Sequence, residues 1–211
     1  MTRAWMKRIA GGAIAFAVLA AGSGCVSLLP EIETRTLYRL DSPVLALDAS
    51  GAVDARTVIV SRIDAPRGLA HDRIALRRSG AVAYMAGAAW LTPAPQLLHA
   101  AVVDAFHATE PRISPVRVED GVDARYRLDL SLRHFEAVYD QGDSAAPLVQ
   151  VTLLARLIDR ETRSLGAVRT ISASRRASTN RQGSIIDAFS AAANAAAEEL
   201  AVWTAAQTTG G

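Results

Sequence analysis

The sequence predicts an α/β fold, a two-layer sandwich in which two helices pack on a mixed, mostly antiparallel sheet of about six strands. Three observations carry the prediction. Residues 125–174 hold three long runs with strand-like alternation, separated by polar turns, as in an antiparallel meander with one dry and one wet face. Two other segments, one between Thr92 and Pro111 and one from Ser184 to about Ala206, space their apolar residues three and four apart, the signature of helices with a single apolar stripe. Proline, glycine, aspartate and serine mark the boundaries between these patterns.

Taken in order, Thr36–Leu40 alternates as a strand and is stopped by Asp41-Ser42-Pro43. Arg56–Ile63 is β-branched and apolar enough for a buried strand, closed by Asp64-Ala65-Pro66. Arg73–Arg77 and Ala81–Met85 flank Ser79-Gly80 and form a hairpin. Thr92-Pro93 starts the first helix, with the Thr92 hydroxyl able to cap it and proline tolerated in its first turn. Leu97, Leu98, Ala101, Val102, Ala105 and Phe106 make its stripe. Val116–Val118 is a short strand candidate, and the meander follows as Arg125–Val138, Leu148–Asp159 and Leu165–Ser174. In the second helix Ile185, Phe189, Ala192, Ala196, Leu200 and Trp203 line up, and the small residues in the middle allow close approach to a sheet. The sequence thus divides into a leader over 1–24, a tether over 25–34, a domain over 35–206 and a frayed tail over 207–211.

The leader has its own pattern. Residues 1–8 carry three cations, residues 9–21 are apolar and small, and residues 22–25 read GSGC, in the order of a signal peptide. The apolar run is 13 residues, short of the roughly 20 that span a bilayer as a helix. The segment resembles a bacterial lipobox at Ser23, Gly24 and Cys25, with Gly22 where leucine or valine is usual. That resemblance makes Cys25 the lipid attachment residue, bearing diacylglycerol and an N-acyl chain, and Val26 in place of aspartate implies the periplasmic face of the outer membrane. The alternative is an ordinary signal peptide cut near Ala21, with Cys25 an incidental thiol. As the only cysteine, Cys25 excludes an intramolecular disulfide. Removing Arg3, Lys7 and Arg8 takes the net charge from +2 to −1, which gives no reason to expect a nucleic-acid partner.

The four histidines offer little chemistry. His99 and His107 lie eight apart on the first helix without the spacing of a zinc helix, and a solvated face is the expectation. His134 and Glu136 point the same way on a strand, as a surface charge pair does. His71 stands beside Asp72 in a polar loop. GDSAAP at 142–147 lacks the glycines that an oxyanion-binding loop needs and reads as a turn. No catalytic constellation, metal site or cofactor loop emerges, so the expectation is a protein that is not an enzyme and has no cofactor beyond the lipid on Cys25.

The stretch from Pro66 to Phe106 resembles the auxiliary lipoprotein component of ABC-type transport systems, the family that includes the PqiC-like lipoproteins. The likeness rests on Pro66 and Leu69 after a long strand, on Arg73, Ile74 and Arg77 in the next, and on Tyr84 and Trp90 before the first helix. TLYRLDSP at 36–43, the Phe135-Glu136 step and the late helix ending at Trp203 are similar too. Tyr84 and Trp90 are expected to pack the sheet against the first helix. The resemblance implies a non-catalytic partner of an ABC transporter, working with an MCE-domain protein, a permease and an ATPase to move phospholipids or other lipids across the envelope. It leaves self-association open. A competing expectation, an outer-membrane lipoprotein that regulates peptidoglycan synthesis, follows from a resemblance in fold outline.

Overall fold

The computed structural model describes residues 35–41 and 56–209; Cys25, the leader and the tether lie outside the described residues. Eight strands and two helices follow in the order β1 (Thr36–Tyr38), β2 (Arg56–Val60), β3 (Arg73–Arg78), β4 (Ala81–Trp90), α1 (Ala94–Thr109), β5 (Ile113–Val116), β6 (Tyr126–Tyr139), β7 (Leu148–Asp159), β8 (Ser164–Arg176) and α2 (Gln182–Thr209). The α/β sandwich is therefore the fold, with eight strands in one mixed sheet instead of about six.

β6, β7 and β8 form the antiparallel meander, with twelve paired positions in each of its two ladders. The long β6 shares its other edge between two strands: its first half pairs in parallel with β2, as at Val60 and Leu128, and its last residues pair in parallel with β3, as at Leu76 and Ala137. The sheet forks there, continuing through β2 to β5 and through β3 and β4 to β1. One face of the meander is dry because Leu128, Leu130, Leu132, Phe135 and Ala137 of β6 and Val149, Val151, Leu153, Ala155 and Leu157 of β7 are all buried. α2 covers that face, packing on β6, β7 and β8 and alongside α1, which reaches β5.

Several local expectations need correction. β4 does not stop at Met85 but continues to Trp90, through an irregularity at which Gly87 adopts φ +65°, a left-handed conformation that costs glycine little. The short strand is Ile113–Val116 and not 116–118, because Arg56–Ile59 offers it a parallel partner while Val118 opens a 3-10 turn. Thr92 does not cap α1. Its first amides are taken by backbone carbonyls instead, Ala94 N–H donating to His71 O at 3.2 Å and Gln96 and Leu97 N–H donating to Pro93 O at 2.9 and 3.2 Å. α2 starts earlier and ends later than its stripe suggested. Thr208, expected in the frayed tail, is helical and buried, with its carbonyl accepting a hydrogen bond from the Arg56 guanidinium. The hairpin turn matches its sequence, Ser79 and Gly80 both having positive φ (47° and 83°) as a tight two-residue loop requires.

An aromatic cluster ties the layers together. Trp90 from β4, Phe135 from β6 and Phe189 from α2 are each at most 1% exposed, with ring centroids 4.8–5.5 Å apart in tilted or edge-on arrangements. Trp90 thus meets the second helix, through Phe189.

Candidate functional site

The sheet face opposite the helices has no helix over it among the described residues, and its polar side chains are organised, not scattered. On β6 the register shift between Leu132 and His134 turns His134 and Glu136 onto this face together. Glu136 is nonetheless only 7% exposed. His134 Nδ1 lies 3.1 Å from its Oε1, Arg77 Nε from β3 lies 3.2 Å from the same oxygen, and Arg77 Nη2 donates to Gln150 Oε1 of β7 at 3.0 Å. The expected surface pair is therefore half of a network that crosses three strands. The Arg77 guanidinium places the opposite charge beside this enclosed carboxyl group.

Beside it lies a second cluster. The Arg73 guanidinium stacks 3.7 Å over the Tyr84 ring, and His71 meets that ring edge-on at 5.0 Å. The Arg73 N–H donates to His71 Nδ1 at 3.2 Å, so the imidazole proton is on Nε2, which faces Tyr84 Oη at 3.2 Å; that hydroxyl in turn donates to Gly68 O at 3.3 Å. Tyr84 therefore braces the loop 66–72 instead of packing against α1, and His71 acquires a structural partner that the sequence did not show.

The remaining histidines stand apart. His99 is half-buried, its Nε2 3.3 Å from Val60 O, and not on a solvated face; His107 is exposed at the end of α1. Among the described residues no group of three or more His, Cys, Asp or Glu could hold a metal ion. GDSAAP is the β6–β7 turn, with Ala145 N–H donating to Gly142 O at 3.1 Å. A half-open groove of about 670 Å³ lies at the start of α1, between Arg62, His99 and Arg117, with Glu119 and Asp120 on its rim. Since the free amides of that helix turn are already bonded to carbonyls, the groove has no anion cradle.

At the sheet ends, carboxylates are locked by arginine and backbone donors. Asp159 is held below the usual aspartate range by the Thr162 N–H, together with the Arg125 side chain at 3.0 Å and the Glu161 N–H. Asp140 is lowered by its bidentate pairing with Arg176 at 2.7 and 2.9 Å, and Asp123 by Arg160. These pairings stiffen the turns at the ends of the meander.

Known proteins share this fold. The family model described as ABC-type transport auxiliary lipoprotein component matches residues 38–201, and the chain belongs to that family. Its members are lipoproteins of transport systems, which places them at a membrane of the cell envelope. The crystal structure of protein XCC0632 from Xanthomonas campestris superposes with a TM-score of 0.69 at 26% identity, covering 82% of this chain and 97% of its own. A second crystal structure, at 14% identity and TM-score 0.65 over 82% of this chain and 99% of its own, shares the fold. The Bradyrhizobium diazoefficiens protein bll6063 is 26% identical over 183 residues, 87% of this chain. The chain spans about half the length of that curated relative, 47%.

The site features that sequence reasoning missed are pairings across strands. Arg77, Glu136 and Gln150 sit on three strands, and nothing local in the sequence says that β3 lies beside the end of β6. The available signal was modest: two arginines four apart on β3 with Ala75 between them, the alternation of a strand whose polar face must meet something.

Proposed function

We propose that the chain is a lipid-anchored, non-catalytic docking component of an MCE-type ABC transport system that moves phospholipids or other lipids across the cell envelope. In this reading Cys25 carries diacylglycerol and an N-acyl chain and holds the domain on the periplasmic face of the outer membrane. The observation that carries it is the family match across nearly the whole folded domain, residues 38–201. Lipids do not cross an aqueous compartment unaided, so a conduit between two membranes needs an attachment at its far end. An acylated domain supplies one, since each buried methylene contributes about 0.8 kcal/mol to anchoring. Tethering also raises the effective concentration of a weakly bound partner. The open sheet face, with its braced Tyr84 loop and its Arg77–Glu136–Gln150 network, is a rigid polar surface suited to contact with the MCE-domain protein, the permease and the ATPase being further members of the assembly.

The test is affinity recovery of the detergent-solubilised full-length chain from its own cells. Co-recovery of an MCE-domain protein, with a lipid-modified Cys25 by mass spectrometry, is the expected result. Recovery of a penicillin-binding protein in its place would overturn the transport reading.

A further inference from the structure

β8 is an end strand of the sheet: among the described residues it pairs with β7 and with no other strand. The other edges are short or interrupted: β1 has three residues and covers only Ala88–Trp90 of β4, the stretch of β4 before it ends at the left-handed Gly87, and β5 has four residues with Pro115 among them, whereas β8 runs for 13 residues without proline. The direction of its free hydrogen-bonding groups follows from the ladder. Ala177 N–H donates to Pro147 O at 3.0 Å, so the odd-numbered residues from Ala167 onward turn their backbone toward β7. Val168, Thr170, Ser172 and Ser174 therefore turn their N–H and C=O groups outward.

Both flanks of this edge are shaped for a further strand. On the helix side a groove of about 520 Å³ runs between Arg169 and α2, lined by Val202, Trp203 and Ala206. Val202 is 52% exposed there, and on the opposite side Leu165 and Val168 are 58% and 51% exposed. A strand added to β8 would send alternate side chains to these two flanks. Charge distinguishes the occupants. β8 carries Arg169, Arg175 and Arg176 with no acidic residue, and exposed Arg156 lies beside Val168 on β7. A second copy of β8 would bring no acidic residue to this edge. Arg176 is already paired with Asp140 and Arg169 with Glu199, and Glu198 and Glu199 on α2 place the acidic charge on the groove side, so an incoming strand is best matched with acidic residues toward Arg156 and apolar ones in the groove.

We propose that the outer edge of β8 is a strand-addition site for an extended segment of a partner protein in which acidic and apolar residues alternate. This deepens the docking reading above and rests on it for the partner's being a protein of the same assembly; the surface itself is defined by the backbone edge and its flanks.

The experiment uses the full-length chain in detergent and two fluorescein-labelled peptides, one alternating valine with glutamate over seven residues and one alternating valine with lysine. The expected result is binding of the glutamate peptide alone, with amide exchange slowed at least about tenfold at Val168, Thr170, Ser172 and Ser174. Thr170→Pro removes an outward N–H and no bond to β7, so it should weaken binding at least about tenfold while the unfolding temperature holds. Equal binding by Thr170→Pro, protection elsewhere, or no protection overturns the proposal. A concentration-dependent dimer protecting these same amides would assign the edge to a second copy and overturn it as well. If Thr170→Pro binds the peptide as before and still recovers the MCE-domain protein, the edge proposal falls and the transport reading stands. If the peptide binds at the edge but no MCE-domain protein is recovered, the edge proposal stands and the transport reading falls.

Discussion

Truncating Phe189 is the sharpest test of how the layers are joined. Its ring is fully buried, edge-on to Trp90 at 5.2 Å and tilted against Phe135 at 4.8 Å, so Phe189→Ala empties the point where β4, β6 and α2 meet. Loss of a buried Phe side chain costs about 3–5 kcal/mol, more where the surroundings cannot collapse. Collapse is restricted here. Asp41 N–H donates to Ser190 Oγ and Asn194 Nδ2 donates to Asp41 O near the middle of α2, and the Arg56 guanidinium holds the Thr208 carbonyl at its end. The expected cost is therefore about 4 kcal/mol, a large part of the roughly 5–15 kcal/mol available to a folded domain. At roughly 2–4 °C per kcal/mol for a domain of this size, the midpoint should fall about 8–16 °C. Urea unfolding followed by tryptophan fluorescence measures it, with Phe189→Leu as the milder comparison at roughly 1–1.5 kcal/mol. A double-mutant cycle with Phe135→Leu should return a coupling of about 0.5 kcal/mol or more. A Phe189→Ala cost below about 1 kcal/mol would mean that the aromatic cluster does not clamp helix to sheet.

Three further outcomes are expected. Asp159 has its pKa lowered from 3.8, so its stabilising effect is fully present above that unfolded-state value and is lost as pH falls through the lower folded value; Asp159→Asn should reduce stability at neutral pH and flatten the acid limb below about pH 4 in equilibrium unfolding. Arg56→Ala should free the Thr208 carbonyl, cost about 1 kcal/mol and speed amide exchange in the last turn of α2 while the middle of the helix is unchanged. Cys25→Ala should yield a folded domain that is soluble or retained as uncleaved precursor; continued partition with the outer membrane after a mild wash would show that lipidation is not the anchor.

The likeness to a transport auxiliary family was legible because it rests on residues whose roles are local or are set by packing. Ile74, Trp90 and Phe135 are core residues, Tyr84 braces its loop, and a sequence that needs them keeps them in recognisable order. What Trp90 touches was not legible. Its approach to Phe189 joins positions 99 residues apart, and only the crossing of α2 over β4 and β6 decides it. The buried state of Glu136 was hidden for the same reason: in sequence it is one charged residue on an alternating strand, and its enclosure depends on Arg77 arriving from a parallel neighbour.

By itself the sequence determined the elements whose signal lies within a few residues. These are the alternation of β6, β7 and β8, the stripes of α1 and α2, the Ser79-Gly80 turn, and hence an α/β sandwich with one dry sheet face. Tertiary structure alone decided the forked pairing along β6, the continuation of β4 past Gly87, the capping of α2 at Thr208 and, among the described residues, the pairing of β8 with β7 alone. The physical reason is range. Periodicity and turn chemistry act between near neighbours, whereas register, strand order and burial of a charge depend on which distant segments the closing chain brings together.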